Sequence, residues 1–342
     1  MNMKKKLKKI LVIFFIPIFF IIIFIRPIVR VRWCTNYFSD RIGHLVSEME
    51  HYFLFKKKNK DKNTLDLFPS NLFYNNNPSN LFLLKHYANR VVTVNRLFIQ
   101  LLQETQKFVK KIFKEYKFLN FDDYLSTRDE YGLFNSRFKS SIKFTNAHNI
   151  NGRSVLSKIG IKKNKKYVCV IVRDSEYLNS RFSSRKWNYH SYRDSNINNY
   201  KLGIKHLINQ GYWVIRMGRK QKFKLNMGKT NFFDYSFSKI KSDFLDVWLL
   251  ANCEFCISTG TGLDHVPRIF NKPTLYINHL PLLDWHSYLK SLTHPKHLYD
   301  LKKKKYLNLV DYVQKSYFRS DEYKQKNLKV IEMSKKEILY CI

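Results

Sequence analysis

The feature that most limits the possible folds of this chain is a regular alternation of apolar and helical segments between residues 167 and 278. Four short apolar runs are typical of buried strands: YVCVI, YWVIRMG, EFCIS and KPTLYIN. Two segments between them, NINNYKLGIKHLINQG and SDFLDVWLLANC, repeat apolar residues at helical spacing. Strands that alternate with helices form a parallel sheet, and strands without polar alternation fit a sheet covered on both faces. The sequence therefore predicts a doubly wound, Rossmann-like α/β domain over residues 161–342.

The first half of the chain also predicts α/β structure, with a less regular pattern. Segment 96–116 carries Leu97, Leu101 and Phe108 at helical spacing, and a helical run at 45–51 precedes a strand-like YFLF. The charged, turn-prone segment GIKKNKK, residues 160–166, separates the two halves. We therefore expect two Rossmann-like domains, 33–160 and 161–342, each with a parallel sheet.

Residues 1–32 form a third region, in which a lysine-rich start leads into the apolar run ILVIFFIPIFFIIIFI. As a helix this run would be roughly 24 Å long, shorter than a hydrocarbon core of about 30 Å. No small residues follow it, as a signal-peptide cleavage site requires, so an uncleaved membrane anchor is expected. Because cationic residues flank both ends, a single-pass helix and a re-entrant segment both fit the positive-inside rule. The expected location is the inner (cytoplasmic) membrane, with the catalytic domains facing the cytoplasm.

The formal charge of the chain, +36, indicates anionic partners. It comes from 62 Lys and Arg against 26 Asp and Glu, and such a field attracts an anionic membrane surface and phosphorylated ligands. The charge is spread along the whole chain without an RNA- or DNA-binding signature, so no nucleic acid partner is expected. The five cysteines are scattered, which suits a reducing compartment, and the CEFC pair lacks further zinc ligands.

Three of the predicted strands end in residues suited to binding an anion, and ligands of open parallel sheets bind beyond the carboxyl ends of the strands. The first end carries Arg173 and Asp174, and the second carries Arg216 and Gly218. A guanidinium so close to an apolar strand needs an anionic partner. The third strand is followed by a turn rich in glycine and hydroxyl groups: Ser258, Thr259, Gly260, Thr261 and Gly262.

This turn precedes a short helical segment, so its backbone N–H groups and the helix dipole are expected to receive a phosphate. It is not a Walker loop, because the string G-x-x-x-x-G-K-[ST] is absent. It is not a dinucleotide fingerprint either, because His265 stands where the last glycine belongs. A strand-to-helix turn also uses glycine for purely steric reasons, and that alternative stays open.

The segment 181–200, between the first strand and its helix, is long for a connection and lacks apolar periodicity. It is rich in His, Tyr, Arg and Asn, and His190, Tyr192 and Arg193 are its candidates for contacting phosphate or sugar. Two interpretations remain: a loop that covers the substrate, and an exposed basic loop without a function.

Several of these blocks, in this order and at this spacing, resemble a family of bacterial glycosyltransferases associated with surface polysaccharide (O-antigen or capsule) clusters. The blocks are RDSEYL, HSYRDSNINNY, GYWVIRMG, FFDYS, SDFLDVWLLANCEFCISTGTGL and KPTLYIN, with weaker likeness at RIGHL and NPSNLFLLKH. The resemblance implies a GT-B-like architecture in which the second domain holds most of a sugar nucleotide. More distantly, the chain is similar to fucosyltransferase-type folds, which implies that Arg173 contacts the donor diphosphate. The N-terminal anchor departs from this pattern.

The chemistry of sugar transfer agrees with the residues at the strand ends. The reaction expels a diphosphate, and the D-x-D motif of metal-dependent transferases is absent from the sequence. We therefore expect neither a metal nor a cofactor, with Arg173, Arg193 and Arg216 and the 258–262 turn stabilising the leaving group. The acceptor hydroxyl needs a base, for which His44 is the first candidate and His190 the second.

The predicted function is therefore transfer of a sugar, hexosyl or fucosyl, from a nucleotide sugar to a cell-surface polysaccharide or a lipid-linked glycan precursor. Two alternatives remain open at this point. A non-catalytic basic protein that binds membrane surfaces or nucleic acid predicts binding that collapses with salt. Another nucleotide-sugar enzyme, such as an epimerase, needs an acid–base pair that is not apparent in the sequence.

Overall fold

A computed structural model of the chain divides into two compact units, Met1–Leu133 and Phe134–Ile342. The structure describes residues 2–34, 39–59, 63–70, 78–112, 129, 132–135, 138–184, 186–228, 231–284 and 290–342. The helix that precedes the 160–166 segment belongs to the second unit, where the Trp248 indole donates a hydrogen bond to Asn149 at 3.1 Å. The boundary between the units thus lies upstream of that segment.

The first unit is built on a three-stranded parallel sheet in the order β1–β2–β3, which confirms the predicted α/β character of this half. Its strands are β1 (Arg30–Trp33), β2 (Thr64–Pro69) and β3 (Val92–Val94). Its helices are α1 (Asn2–Phe24), α2 (Ile42–Lys58), α3 (Leu81–Ala88) and α4 (Arg96–Ile112). The prediction of a strand at YFLF is wrong, because residues 52–55 lie inside α2.

A buried ion pair joins β1 to β2 at matched positions of their register. Arg32 lies opposite Asp66, and its Nε and Nη2 donate to the two carboxylate oxygens at 2.6 and 3.0 Å. The Tyr52 hydroxyl of α2 donates to the same carboxylate at 2.7 Å. Burial alone would raise the pKa of Asp66, but the hydrogen bonds from Arg32 and Tyr52 hold that pKa below its usual value. The ionised carboxylate thereby fastens α2 to the sheet.

Helix α1 packs one face against the core of the first unit and exposes the other. Phe19 is buried beside Trp33, and the rings of Phe15 and Phe98 lie 5.4 Å apart. On the other face Phe14 is 71% exposed and Phe24 86%. Among the residues described, none of the helices has the length and apolar character needed to cross a membrane, so the predicted membrane anchor is not supported.

The second unit contains the predicted parallel sheet, with six strands in the order β6–β5–β4–β7–β8–β9. They are β4 (Tyr167–Ile171), β5 (Trp213–Arg216), β6 (Phe232–Asp234), β7 (Cys256–Ser258), β8 (Thr274–His279) and β9 (Ser291–Pro295). The helices that accompany them are α5 (Asn146–Lys158), α6 (Glu176–Arg181), α7 (Lys201–Asn209), α8 (Asp243–Asn252) and α9 (His265–Ile269).

A smaller antiparallel sheet in the order β11–β10–β12 completes the second unit. Its strands are β10 (His297–Asp300), β11 (Lys305–Tyr306) and β12 (Leu328–Ile331). Three short helices lie in the same part of the chain: α10 (Leu309–Gln314), α11 (Ser320–Gln325) and α12 (Lys335–Cys341).

Strand β4 lies near the middle of the large sheet, with β5 on one side and β7 on the other. All of its residues are buried, as expected for a strand covered on both faces. Val168 and Val170 pack in one cluster with Ile204 and Leu207 of α7 and with Ile257 of β7. This packing brings the carboxyl ends of β5, β4 and β7 side by side.

Candidate functional site

The candidate site begins where β4 and β7 end next to each other, with Ile171 paired to Ser258. Two hydrogen bonds extend this pairing beyond the sheet. The backbone N–H of Thr259 donates to the Ile171 carbonyl at 3.1 Å, and the backbone N–H of Arg173 donates to the Thr259 hydroxyl at 2.9 Å. Arg173 and the 258–262 turn are therefore held together, as the sequence predicts for neighbouring strand ends.

Two guanidinium groups meet at this edge of the sheet. Arg193 Nη2 donates to the Gly260 carbonyl at 2.7 Å, and Arg173 Nε lies 3.5 Å from Asp194 Oδ1. The Nε atoms of both arginines are buried and make no hydrogen bond within the part of the chain that the structure describes. Burial and the neighbouring Arg193 lower the pKa of Arg173 to about 10, so it stays charged at neutral pH. Two adjacent cations make this edge of the sheet a candidate site for an anion.

A third cation, the buried ammonium of Lys296, lies against the same loop. It donates a hydrogen bond to the backbone carbonyl of Asp194, and burial lowers the pKa of Lys296. Burial also raises the pKa of the Asp194 carboxyl, whose Oδ1 makes no hydrogen bond among the described residues. Asp194 is thus an acidic neighbour of Arg173 that accepts no hydrogen bond from the Arg173 Nε. Sequence reasoning missed Lys296, because it lies 102 residues downstream of Asp194.

The 258–262 turn does not offer the backbone donors that the sequence predicts. The Gly260 N–H donates to Ser258 Oγ at 3.1 Å, and the Thr261 N–H donates to the Asp264 carboxylate at 2.6 Å. The Ser258 hydroxyl donates to that carboxylate as well, at 2.6 Å. The helix α9 that follows has five residues. The amides of Gly260 and Thr261 are therefore bonded within the turn, and the two guanidinium groups are the candidates for binding an anion.

Gly260 is required at its position for a steric reason. Its φ is +83°, which side chains rarely adopt, and a Cβ there would lie 2.8 Å from His279 Cε1. His279 is 4% exposed, and burial together with Arg193 lowers its pKa to about 3, so the ring is neutral at physiological pH. The turn is thus packed tightly against an uncharged imidazole. The exposed Gly262 and the hydroxyl of Thr261 lie on the remainder of the turn.

The structure does not bring Arg216 together with Arg173 and Arg193. Its buried guanidinium contacts Asp234 Oδ2 at 3.1 Å and donates to the Phe223 carbonyl at 2.6 Å and to Gln221 Oε1 at 2.9 Å. Burial lowers the pKa of Arg216, and Asp234 acts in the opposite direction. The anionic partner that the sequence predicts for Arg216 is therefore Asp234 of the protein itself. Gly218, with a φ of +144°, lies where the chain turns to bring Gln221 against this group.

Two other predicted residues have local structural contacts. Asp174 accepts hydrogen bonds from the backbone N–H groups of Glu176 at 3.0 Å and Lys222 at 2.8 Å. The Tyr192 ring is buried against Tyr323 at 5.3 Å, and burial raises the pKa of Tyr192 to about 12. Within the 181–200 segment, Arg193 is therefore the predicted residue that reaches the turn.

His190 belongs to an aromatic stack in the same segment. Its ring centroid lies 4.0 Å from that of Tyr189 and 6.2 Å from that of Trp187, nearly parallel to the latter. The ring is half-buried and its Nδ1 is buried. Access to His190 is thus restricted on the faces covered by these two rings.

A carboxylate on the C-terminal side of β12 holds the loop that carries Arg193. Glu332 Oε2 accepts hydrogen bonds from the Ser195 hydroxyl at 2.9 Å, the Asn196 N–H at 3.1 Å and the Asn199 side chain at 3.3 Å. The loop itself forms two short 3-10 helices, Asn188–Arg193 and Ile197–Tyr200. The segment is thus ordered by contacts from a distant part of the chain, which local sequence patterns do not reveal.

His44, the other predicted catalytic residue, lies in the first turn of α2 in the first unit. Its Nδ1 is 2.5 Å from Glu48 Oε1, and its side chain is 31% exposed while that of Glu48 is 7% exposed. Residues four apart share one face of a helix, so the pairing follows from the spacing His-x-x-x-Glu. That spacing is visible in HLVSE and is the signal that would have identified Glu48 from the sequence.

The acidic, histidine and cysteine side chains are distributed differently from the cations of this site. In the described ranges, no three or more His, Cys, Asp or Glu side chains are grouped so as to hold a metal ion. The arginines of the candidate site carry positive charge, which repels a metal ion and attracts a phosphate.

The fold and its strand-end site define an α/β protein with parallel sheets, similar to the GT-B glycosyltransferases. The glycosyl transferase family 9 from Veillonella parvula DSM 2008 shares this fold with a TM-score of 0.52 and 8% sequence identity, over 91% of this chain and 95% of that chain. At such low identity the likeness shows the fold alone. No protein-family model matches the chain, and no curated protein matches it significantly.

Two solved structures from E. coli are also similar. The ADP-heptose lps heptosyltransferase II has 11% identity and a TM-score of 0.44, over 77% of this chain and 89% of that chain. The heptosyltransferase WaaC with ADP-2-deoxy-2-fluoro heptose has 10% identity and a TM-score of 0.38, over 78% and 93%. The narrower resemblances, to surface polysaccharide clusters and to fucosyltransferase-type folds, stay predictions.

Proposed function

We propose that this protein is a glycosyltransferase that moves a sugar from a nucleotide-sugar donor to a cell-surface polysaccharide or a lipid-linked glycan precursor. The observation that carries the proposal is the guanidinium pair of Arg173, which follows the central strand β4, and Arg193, which the 181–200 segment brings to the same edge of the sheet. Among the described residues the buried Nε atoms of both arginines make no hydrogen bond, and a diphosphate offers oxygens to both groups at once. The fold shared with a glycosyltransferase supports this choice among phosphate ligands.

In the proposed reaction the two arginines stabilise the diphosphate as it leaves. Negative charge grows on the diphosphate oxygens as the bond to the sugar breaks, and cations fixed in advance lower the energy of that state. Arg193 is fixed by the Gly260 carbonyl and Arg173 by the pairing of its backbone with Thr259. The proposal therefore includes no metal and no cofactor, since these cations take the place of a metal ion.

His44 is the proposed base that accepts the proton of the acceptor hydroxyl. An imidazole can accept a proton in general base catalysis, and the partly exposed ring of His44 lies beside the buried carboxylate of Glu48. His190 is the second candidate, but its ring is stacked against Trp187 and Tyr189, which restricts approach to it.

We expect Arg173→Ala and Arg193→Ala each to weaken nucleotide binding by roughly tenfold to a hundredfold. A charge-assisted hydrogen bond contributes about 1.5–3 kcal/mol, and each variant removes a donor from the diphosphate. The measurement is calorimetric titration of ADP, GDP, UDP, CMP and dTDP into the wild type and the variants. Arg153→Ala, which removes an exposed arginine of α5, is the matched control. Failure of all five nucleotides to bind the wild type, or equal losses in the control, would reject the donor site.

We further propose that the protein works at the inner face of the cytoplasmic membrane, in contact with anionic lipid. The outer face of α1 exposes Phe14, Ile21 and Phe24, and Ile28 follows it with 72% of its side chain exposed. Five lysines precede the apolar run among residues 4–9. An apolar helix face with cationic residues beside it fits a bilayer surface that carries negative charge.

A vesicle experiment tests this surface. Replacing Phe14, Ile21 and Phe24 by serine is expected to lower binding to phosphatidylglycerol vesicles by more than tenfold, because burial of each side chain contributes about 1.5–3 kcal/mol. Binding is measured by co-sedimentation, with light scattering to detect self-association. The matched control replaces three other exposed apolar residues by serine: Leu309, Val310 and Val313. Equal binding by the α1 variant, or loss of self-association alone, contradicts the membrane contact.

A further inference from the structure

We infer that Asn278 positions the two arginines of the candidate site, Arg173 and Arg193, by fixing Ser195 through its side-chain amide. Asn278 acts through Ser195 rather than on a ligand, so it is a positioning residue. All of these residues lie in the second unit. The consequence for nucleotide binding rests on the proposed function, in which the two arginines hold a diphosphate.

Asn278 lies at an irregular position near the carboxyl end of β8. The pairing of β8 with β9 shifts its register between Ile277 and His279, and the φ of Asn278 is +57°. Asparagine is several-fold enriched among the non-glycine residues that adopt this left-handed conformation. An irregularity of this kind re-aims a side chain and is frequent beside active sites. Because the Asn278 side chain is fully buried, its amide needs partners inside the protein.

The orientation of the Asn278 amide is fixed by the backbone N–H of Met333, which donates to Oδ1 at 2.8 Å. Nδ2 therefore supplies the donors on the other side, to the Ser195 and Tyr200 hydroxyls, each at 3.2 Å. These two hydroxyl oxygens are 3.3 Å apart. Ser195 donates its one hydrogen to Glu332 Oε2 at 2.9 Å, so the hydrogen between the hydroxyls comes from Tyr200. Each hydrogen of this buried cluster thus has a defined direction.

Ser195 connects this cluster to both arginines. Its backbone N–H donates to the Arg173 carbonyl at 2.9 Å, and Arg193 precedes it by two residues. The next residue, Asn196, donates its backbone N–H to Glu332 at 3.1 Å. A displacement of Ser195 therefore moves the backbone on which the positions of both guanidinium groups depend.

A purely structural role for Asn278 is the competing explanation, because a left-handed backbone position by itself favours glycine or asparagine. The two explanations differ in what the Nδ2 donors do. If Asn278 serves the backbone turn alone, loss of these donors lowers the stability of the unit and leaves the nucleotide affinity of the folded protein unchanged. If Asn278 holds Ser195, the same loss weakens nucleotide binding.

Asn278→Asp keeps the shape of the side chain and the acceptor for Met333, and in its ionised form it lacks both donors. The introduced carboxylate competes with Glu332 for the single hydrogen of the Ser195 hydroxyl. We expect nucleotide affinity to fall roughly tenfold, since misplacing a contacting group by about 1 Å can cost about a hundredfold. Calorimetric titration of ADP, GDP, UDP, CMP and dTDP into the folded variant measures the loss, and denaturant unfolding measures its stability separately.

The matched control is Asn271→Asp, before the amino end of the same strand. Asn271 is also left-handed, with a φ of +53°, and its Nδ2 donates to the Phe138 carbonyl at 2.6 Å. Asn278→Gly removes the whole amide without straining the backbone, and it replaces Asn278→Asp if the buried carboxylate prevents folding. When Asn278→Gly is combined with Ser195→Ala, nucleotide binding is expected to weaken no further than in the stronger single variant, because both changes act through one hydroxyl.

Hydrogen exchange tests the positioning without any ligand. The backbone amides of Ser195 and Asn196 are expected to exchange roughly tenfold faster in both Asn278 variants and at the wild-type rate in Asn271→Asp. Unchanged exchange or unchanged nucleotide affinity in both Asn278 variants, or equal changes in Asn271→Asp, overturns the inference. Losses of affinity that multiply in the double variant overturn it as well. If the wild type binds none of the five nucleotides, the proposed donor site fails, while the exchange rates still decide whether Asn278 holds this segment.

Discussion

Gly260→Ala is expected to destabilise the second unit by about 2–5 kcal/mol and to abolish measurable nucleotide binding. A side chain at a left-handed backbone position costs about 1–2 kcal/mol, and overpacking a tight site costs about 1–3 kcal/mol more. Both apply here, because φ is +83° and a Cβ would lie 2.8 Å from His279 Cε1. Relief of that clash displaces the Gly260 carbonyl, to which Arg193 donates. Denaturant unfolding and calorimetric titration measure the two effects.

Gly211 is a control position that separates the effect of backbone strain from the effect of the clash with His279. Gly211 has nearly the same φ, +87°, and a Cβ there meets no atom within 4 Å among the described residues. Gly211→Ala therefore carries the strain alone and is expected to destabilise the unit less and to leave nucleotide binding intact. Adding His279→Ala to Gly260→Ala should recover part of the lost stability by making space. If both glycine variants are equally destabilised and both bind nucleotide, the turn is an ordinary packing turn.

His44→Ala is expected to lower kcat by about 10²- to 10⁴-fold, the usual contribution of a general base, while the affinity for the donor stays unchanged. In the proposed function His44 acts on the acceptor hydroxyl, whereas nucleotide binding depends on Arg173 and Arg193. Steady-state kinetics with the donor and acceptor measures the first effect, and calorimetric titration of the nucleotide measures the second.

His190→Ala serves as the competing variant, since it removes the second candidate base. We expect a smaller loss of kcat from it than from His44→Ala. A larger loss from His190→Ala would assign the base to the second unit. Loss of donor affinity and kcat together in His44→Ala would mark His44 as structural.

The large sheet of the second unit is predictable from the sequence because its strands are buried on both faces. A strand such as β4, with all its residues buried, consists of apolar residues, and the residues that follow it stand out by their polarity. The apolar runs and their polar ends therefore suffice to predict that Arg173 and the 258–262 turn lie together.

Other features depend on contacts that local patterns do not encode. The position of Arg216 after an apolar strand predicts a ligand, but Asp234 on the neighbouring strand β6 compensates its charge. The glycines of the 258–262 turn predict amides that bind phosphate, but the carboxylate of Asp264 receives the Thr261 N–H instead. The sequence of α2 predicts a helix followed by a strand, although the whole segment is one helix. Most residues in its first half are buried, so apolar residues do not repeat there at a clear helical spacing.

The hydrogen bonds from the 181–200 segment to Glu332 also set the order in which the candidate site forms during synthesis. Ser195 and Glu332 are 137 residues apart, so the ribosome has added all the intervening chain before their hydrogen bond exists. At translation rates of about 5–20 residues per second, this interval lasts roughly 7–27 seconds. During that time β4 has emerged without the carboxylate that fixes the segment carrying Arg193. In a growing chain the 181–200 segment therefore lacks this contact until Glu332 has left the exit tunnel.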